Sequence, residues 1–574
     1  MEYLEKYNEW LNNEIFDEET KNELRAIEGD SKEIEDRFYK DLSFGTGGLR
    51  GIIGAGTNRM NIYTVTKATQ GLANYIISKN GQDKGVVIAY DSRIMSKEFS
   101  EATALCLNAN GIKTYVFDSL RPTPELSFAV RYLKCIAGIV ITASHNPSKY
   151  NGYKVYWEDG AQITSPIDKE IITEVNKVED YKEIKTIDKE KAVELGLYNV
   201  VGKEIDDEYI SEIKKLVLNK EAIDAQKDNI KVVYTPLHGT GNLPVRRILS
   251  ELGFKNVYVV KEQELPDGKF PTVAYPNPED KNAFKLALDL AKEVDADIVL
   301  ATDPDADRLG VYVKNNENGE YVSFTGNMMG VLIAAYRLEQ LKEKNMLNEK
   351  STIVSTIVST NMMMELVKDY NLQYFETLTG FKYIGEKIKE FEEANSNEFI
   401  FGFEESYGSL IGTYARDKDA VSAVMALVEV AAFYKNQGLT LIDVMENLYK
   451  KYGYYKEDLV SLTLEGVDGS KQIEQMMNDF RNNTPTTLGG LKVLALRDYK
   501  KKIRYDFENG TEEKLLLPES NVLYFEIEGG IWGVLRPSGT EPKLKIYVGA
   551  KAESKTAADE LSDKLIDELK TLVM

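Results

Sequence analysis

From Gly85 onward, short all-apolar runs alternate with longer stretches whose apolar residues recur every three to four positions. The runs predict strands over Val86–Ala89, Thr114–Phe117 and Cys135–Ile141, and the amphipathic stretches predict helices over Ser96–Asn110 and Pro124–Leu133. The alternation restarts after a charged, lysine-rich connection. Strands are expected at Ile230–Tyr234, Val257–Val260 and Asp297–Ala301, with helices at Leu243–Leu252 and Asn282–Val294. It restarts again after about residue 320, with helices Asn327–Leu341 and Met362–Tyr370 and strands Thr352–Val358 and Glu398–Phe403. Such layering implies α/β units with largely parallel sheets. After Gly453 the pattern changes to strands at Leu459–Leu464, Leu491–Leu496, Val522–Glu528, Gly533–Leu535 and Lys543–Val548. Helices are expected at Gln472–Arg481 and Ala557–Leu572, and the whole reads as an α+β domain. Residues 1 to about 40 read as polar amphipathic helices. The expected division is 1–205, 206–320, 321–453 and 454–574. A length of 574 residues exceeds what one core organises.

Charge narrows the function. With 93 acidic against 71 basic residues, the formal charge is -22. A nucleic-acid or anionic-membrane partner needs a basic face, so neither is expected, and an anionic substrate requires cations gathered locally. Cys106 and Cys135 sit among apolar residues and read as buried thiols of a reducing compartment, a disulfide between them being the lesser option. The N-terminus lacks a basic stretch followed by an apolar block, so it does not read as a signal peptide. The apolar segment Ala420–Tyr434 is short and contains Glu429, so it reads as a core helix and not a membrane span. A cytoplasmic location is the expectation. Nothing in the pattern fixes the oligomeric state, and a monomer is compatible with it.

Each unit ends a strand in an unusual polar loop, which is where open α/β sheets bind ligands. Strand Cys135–Ile141 enters Thr142-Ala143-Ser144-His145-Asn146-Pro147, where Ser144 is either a nucleophile or a turn serine. Strand Asp297–Ala301 enters Thr302-Asp303-Pro304-Asp305-Ala306-Asp307-Arg308. In extended backbone Asp303, Asp305 and Asp307 share a face. Three unpaired carboxylates repel, and a divalent cation resolves that; oxygen ligands at this density suit Mg²⁺. A solvated acidic turn is the alternative, less natural around Pro304 and Ala306. An EF-hand reading fails, because the required glycine is Arg308 and the terminal glutamate is Lys314.

Gly402-Phe403-Glu404-Glu405-Ser406-Tyr407-Gly408 offers carboxylates and a hydroxyl to a sugar, or is a polar turn. Arg536-Pro537-Ser538-Gly539-Thr540 is a phosphate cradle or a hairpin turn. The glycine-rich Phe44–Gly51 stretch is not a dinucleotide fingerprint, since Arg50 stands where its third glycine belongs; an anion suits it better, and a flexible turn stays open. Gly-x-Ser-x-Gly and Gly-x4-Gly-Lys-Ser/Thr motifs are absent, and two histidines exclude a histidine-rich metal site.

Together, in order and spacing from Thr142 to Pro542, these four loops resemble the signature set of the α-D-phosphohexomutase superfamily. Phe44–Gly51 and Thr379-Gly380-Phe381-Lys382 resemble its phosphoglucomutase branch, which includes bacterial phosphoglucomutases and phosphopentomutase-like enzymes. The resemblance implies three α/β domains with mostly parallel mixed sheets and a C-terminal α+β domain around a central cleft. It implies Ser144 as phosphoserine and Asp303, Asp305 and Asp307 as holders, with Ser144, of one Mg²⁺ per chain. It implies Glu404 and Ser406 on sugar hydroxyls, Arg536, Ser538, Gly539 and Thr540 on the distal phosphate, and Lys382 in the loop that discriminates sugar orientation. Arg50, Lys154 and Arg308 match positions that stabilise charge or assist proton transfer, and Lys154 and His145 are candidates for the base. The implied reaction interconverts glucose 1-phosphate and glucose 6-phosphate, with glucose 1,6-bisphosphate as intermediate and activator. Mannose and pentose phosphates are alternative substrates. A phosphatase and a non-catalytic sugar-phosphate binder are further alternatives. One departure is Arg416-Asp417-Lys418-Asp419-Ala420, where relatives often end in glycine; that segment is left out of the expected site.

Overall fold

A computed structural model describes residues 2–45, 47–464, 466–538 and 543–573. They fall into two compact units, one of residues 1–325, 381–401 and 406–440, the other of 326–380, 402–405 and 441–574.

The first unit contains a six-stranded sheet in the order Gly48–Ile52, Tyr150–Trp157, Ala137–Ile141, Val86–Tyr90, Thr114–Phe117, Tyr198–Val201. The last four are parallel, whereas Tyr150–Trp157 runs antiparallel to both its neighbours. Val86–Tyr90 and Ala137–Ile141 are buried at every position, as their unbroken apolar runs require. A five-stranded sheet follows in the order Tyr321–Phe324, Leu309–Lys314, Ile298–Thr302, Lys231–Thr235, Asn256–Val259. Its last three strands are parallel and its first two antiparallel. The sheets are therefore mixed: each parallel core carries antiparallel strands on one edge.

Those antiparallel strands are what the apolar pattern missed. Gly48–Ile52 lies in the glycine-rich stretch, whose composition reads as loop. Glycines on it and on its neighbour Tyr150–Trp157 serve strand packing: a Cβ on Gly48 (φ 142°) would sit 1.8 Å from the Tyr153 carbonyl oxygen, and one on Gly152 2.4 Å from that of Thr142. The long helix Ile62–Ser78, capped by Asn61, was also not expected. The predicted helix Asn282–Val294 is a 3₁₀ turn, Lys281–Phe284, followed by α-helix Lys285–Val294. Three N-terminal helices, Glu2–Asn12, Glu18–Arg25 and Ser31–Phe38, close over an aromatic core in which Trp10 stacks on Phe16 at 4.1 Å. Cys106 and Cys135 are free and buried, so they form no disulfide. Ala420–Lys435 is a helix buried from Ala420 through Ala432, with Asp419 capping the N–H groups of Val421 and Ser422. No helix among the described residues is long and apolar enough to cross a membrane.

In the second unit, strands Ser351–Thr356 and Gln373–Thr377 pair in parallel. The C-terminal strands form an antiparallel sheet, including Tyr454–Thr463, Leu491–Asp498, Leu523–Ile527, Ile531–Pro537 and Lys543–Ala552. Leu565 and Leu569 of helix Lys555–Val573 and Met477 and Phe480 of helix Gly466–Asn482 complete its core. The first of these strands begins at Tyr454, five residues before the expected start, and from Leu459 on exposed positions alternate with half-buried ones along the ladder to Lys543–Ala552.

Candidate active site

Strand Ala137–Ile141 carries the chain into Ser144, which is 4% exposed and left-handed at φ 51°. A non-glycine residue holds that conformation only when its surroundings over-determine it. Here the Ser144 N–H donates to Thr142 Oγ1 (2.8 Å), whose hydroxyl donates to Asp91 Oδ2 (2.7 Å). Asp91 Oδ1 in turn accepts from the Arg93 N–H (2.9 Å) and Ser96 Oγ (2.8 Å). The Arg93 guanidinium donates to the carbonyls of Pro147 (2.9 Å) and Tyr150 (3.0 Å), and to those of Ser144 and Asn146. Its other face lies over the Phe270 ring, 5.0 Å from the centroid.

Ser144 Oγ donates to Asp303 Oδ2 at 2.6 Å, and His145 Nδ1 lies 3.3 Å from the same hydroxyl. Asp303, Asp305 and Asp307 are buried, with one ligand atom from each within 4.8 Å of the others. Their convergence does not come from extended backbone. The loop folds as a turn, with the Ala306 N–H donating to the Asp303 carbonyl (2.9 Å) and Ala306 left-handed at φ 51°. Asp303 Oδ1 accepts from the N–H groups of Asp307 and Arg308, both at 3.1 Å. Lys154 Nζ donates to Asp305 Oδ2 (2.9 Å) and stands 3.6 Å from Asp307 Oδ2, which also pairs with Lys418 Nζ at 2.9 Å.

Burial and the neighbouring carboxylates push the Asp303 carboxyl well above its ordinary range. Burial opposes the Asp305 charge too, but Lys154 outweighs it and holds that carboxyl below the usual range. Burial acts against the Lys154 charge, and Asp305 and Asp307 overcome it and raise the ammonium. Burial and then Arg308 and Arg50 drive the His145 imidazole well below its ordinary value. Asp305 Oδ1 and Asp307 Oδ1 are buried without a hydrogen-bond partner. Native structures rarely leave buried carboxylate oxygens unpartnered. Three carboxylates and a hydroxyl form an all-oxygen donor set, and two of its carboxylates each keep a buried oxygen without a partner, so the residues present fit a hard divalent cation.

Arg308 donates from Nη1 to Glu279 Oε1 at 2.6 Å. Arg50 is exposed on strand Gly48–Ile52, opposite Gly152 in the ladder. Lys382 lies in the first turn of helix Phe381–Ala394, near Asp168 and Glu386; burial lowers its pKa and the two carboxylates oppose that. Ser406, half-buried, follows strand Glu398–Glu404.

In the second unit, Tyr547 gathers another part of the expected set. Arg536 Nη1 donates to its hydroxyl at 3.4 Å. Burial, then Glu405, Arg536 and Glu404, set the Tyr547 hydroxyl at about 12. Glu405 accepts from Thr356 Oγ1 at 3.0 Å, and the Ser538 N–H donates to the Lys543 carbonyl at 2.7 Å. Gly539 and Thr540 lie outside the described residues.

Sequence reasoning missed Asp91, Arg93 and Lys418. The first two follow strand Val86–Tyr90, so the same attention to strand ends would have found them. Lys418 belongs to the segment set aside for its departure at Ala420; that alanine begins a buried helix, and its N–H donates to the Ala306 carbonyl at 3.1 Å.

Four family profiles match in succession. They are described as phosphoglucomutase/phosphomannomutase alpha/beta/alpha domains I (residues 41–182), II (207–319) and III (325–452) and the C-terminal domain (492–567). A phosphoglucomutase from Staphylococcus saprophyticus is 38% identical over 552 residues, 96% of each chain. One from Staphylococcus epidermidis is 40% identical over 525 residues, 91% of this chain and 93% of that one. The crystal structure of a protein described as a putative phosphomannomutase from Thermus thermophilus shares the fold, with a TM-score of 0.68 at 22% identity over 92% of this chain and 99% of its own. The order of domains, the buried serine and acidic loops, and this identity along nearly the whole chain agree: it belongs to the phosphoglucomutase/phosphomannomutase family of the α-D-phosphohexomutase superfamily.

Proposed function

We propose that this chain is a phosphoglucomutase that interconverts glucose 1-phosphate and glucose 6-phosphate through phosphorylated Ser144. The observation that carries the reading is the Ser144 hydroxyl, fixed on a strained loop and bonded to Asp303 at 2.6 Å in a buried acidic cluster. The relatives at 38% and 40% identity, both described as phosphoglucomutases, support the glucose assignment.

In this reading Asp303, Asp305, Asp307 and the Ser144 oxygen hold one Mg²⁺ per chain, which neutralises charge on the transferring phosphoryl group when bound. The sugar O6 attacks phosphorus, the P–O bond to Ser144 breaks, and glucose 1,6-bisphosphate results. After that intermediate turns over, Ser144 takes back the other phosphoryl group. The proton leaving O6 goes to His145, whose imidazole burial keeps neutral, and not to Lys154, whose ammonium Asp305 and Asp307 stabilise. Arg308, Arg50 and Lys154 offset charge that builds in transfer, and Lys382 sets sugar orientation. Glu404 and Ser406 accept from and donate to sugar hydroxyls, while Arg536, Ser538, Gly539 and Thr540 hold the phosphate not in transfer. Glucose 1,6-bisphosphate acts as activator by rephosphorylating Ser144. The substrates are small sugar phosphates, the location is cytoplasmic, and the domains divide at 205, 320 and 453, a reading supported by family profiles that change over between 182 and 207, 319 and 325, and 452 and 492.

The test is incubation with glucose 1-phosphate, Mg²⁺ and a trace of glucose 1,6-bisphosphate. Glucose 6-phosphate is the expected product. Free phosphate alone indicates a phosphatase, and no turnover a binding protein. Relative kcat/KM for glucose, mannose and ribose 1-phosphates decides the sugar, and a preference for mannose or ribose overturns the glucose assignment.

A further inference from the structure

We infer that Thr123 is a positioning residue of the cation site, fixing which oxygen of Asp305 is presented to the ion. Thr123 opens helix Thr123–Tyr132 and is fully buried. It bonds the acidic loop twice: its N–H donates to the Asp305 carbonyl at 2.9 Å, and its hydroxyl donates to Asp305 Oδ2 at 2.9 Å. The first N–H groups of a helix have no partner within the helix, and Pro122 supplies no side-chain cap here, so the acidic loop takes that place. Lys154 Nζ reaches the same Oδ2 at 2.9 Å. Two donors on Oδ2 leave Oδ1 buried and without a hydrogen-bond partner, in a carboxylate that belongs to the cluster.

The division of labour has a consequence for selectivity. A carboxylate with one oxygen engaged by protein donors offers a cation a single oxygen. Small octahedral ions such as Mg²⁺ and Mn²⁺ accept that, whereas Ca²⁺ readily takes both oxygens in a larger, looser shell. Thr123 thus restrains Asp305 to the mode that suits the smaller ion. Groups that orient ligands in this way typically change metal affinity by about 10- to 100-fold when removed.

The inference rests on the cation site proposed above, and one experiment separates the two. Mn²⁺ binding to the full dephosphorylated chain is read from the electron paramagnetic resonance signal of free Mn²⁺, with Ca²⁺ as competitor. The wild type is expected to bind one Mn²⁺. T123V keeps the backbone bond and loses the hydroxyl, so its Mn²⁺ affinity is expected to fall about 10- to 100-fold, with a smaller loss for Ca²⁺. T123S, which keeps the hydroxyl, restores both values. T123A, which also lacks the hydroxyl, replaces T123V if the valine variant does not fold. Wild-type Mn²⁺ affinity in T123V, or equal losses for the two ions, overturns the role of Thr123. Failure of the wild type to bind Mn²⁺ overturns the site itself and Thr123 with it.

Discussion

Arg93→Lys tests whether the Ser144 loop is held as the structure indicates. The Arg93 guanidinium spans four carbonyl oxygens, those of Ser144, Asn146, Pro147 and Tyr150, from two terminal nitrogens. A lysine keeps the charge beside Asp91 but gathers its donors on one nitrogen, which cannot span that set. At least two carbonyls lose a charged donor, and each such bond contributes about 1.5–3 kcal/mol. The loop must also keep Ser144 left-handed, which costs a residue with a Cβ about 1–2 kcal/mol. A loss of about 3 kcal/mol at the loop carrying the nucleophile corresponds to a drop of roughly 100-fold in kcat. Arg93 acts through the loop, so the KM for glucose 1-phosphate should change far less than kcat. Steady-state kinetics with a coupled glucose 6-phosphate dehydrogenase assay measures both. R93M should be worse still, because it strands the buried Asp91 carboxylate, a change of about 3–5 kcal/mol. An R93K enzyme with wild-type kcat, or one impaired only in KM, refutes the clamp.

Other consequences follow from charge. The Glu457 carboxyl has its pKa raised to about 7 by burial, against an ordinary 4.5. Between those values the unfolded chain has released the proton and the folded chain retains it, so stability falls as pH rises and the penalty, about 3 kcal/mol, is complete above pH 7. E457Q removes the ionisation, so its thermal midpoint should exceed the wild-type value at pH 8 and match it at pH 4.5; an equal difference at both pH values contradicts the burial argument. Substrate binding should weaken with salt, because local cations overcome a net charge of -22. KM values for glucose 1-phosphate that do not rise between about 0.02 and 0.3 M salt count against that cluster.

Much of this molecule was legible because its chemistry sits where elementary rules place it, at the ends of wholly apolar strands. The runs preceding Thr142 and Asp303 could only be buried strands, and the polar residues after them had to be at a rim. The antiparallel strands were hidden for the opposite reason. Gly48–Ile52 and Tyr150–Trp157 are rich in glycine, tyrosine and charge, and they become strands through the ladder they make with each other and with Ala137–Ile141. Convergence of the three aspartates was anticipated from the wrong geometry, since the bend at Ala306 depends on a left-handed residue that no side-chain pattern announces. Lys418 was invisible because its role depends on Asp307, more than a hundred residues earlier in the chain. Arg93 was overlooked because its partners are backbone carbonyls, which have no sequence signature.

The central claim is that Ser144 carries the phosphoryl group. Intact-protein and peptide mass spectrometry after incubation with glucose 1,6-bisphosphate and Mg²⁺ tests it directly. The account predicts one added phosphoryl group on the peptide containing Ser144, its discharge by glucose 1-phosphate with formation of the bisphosphate, and neither event in S144A. Phosphoryl transfer to another residue, or mutase turnover by S144A at the wild-type rate, would contradict it.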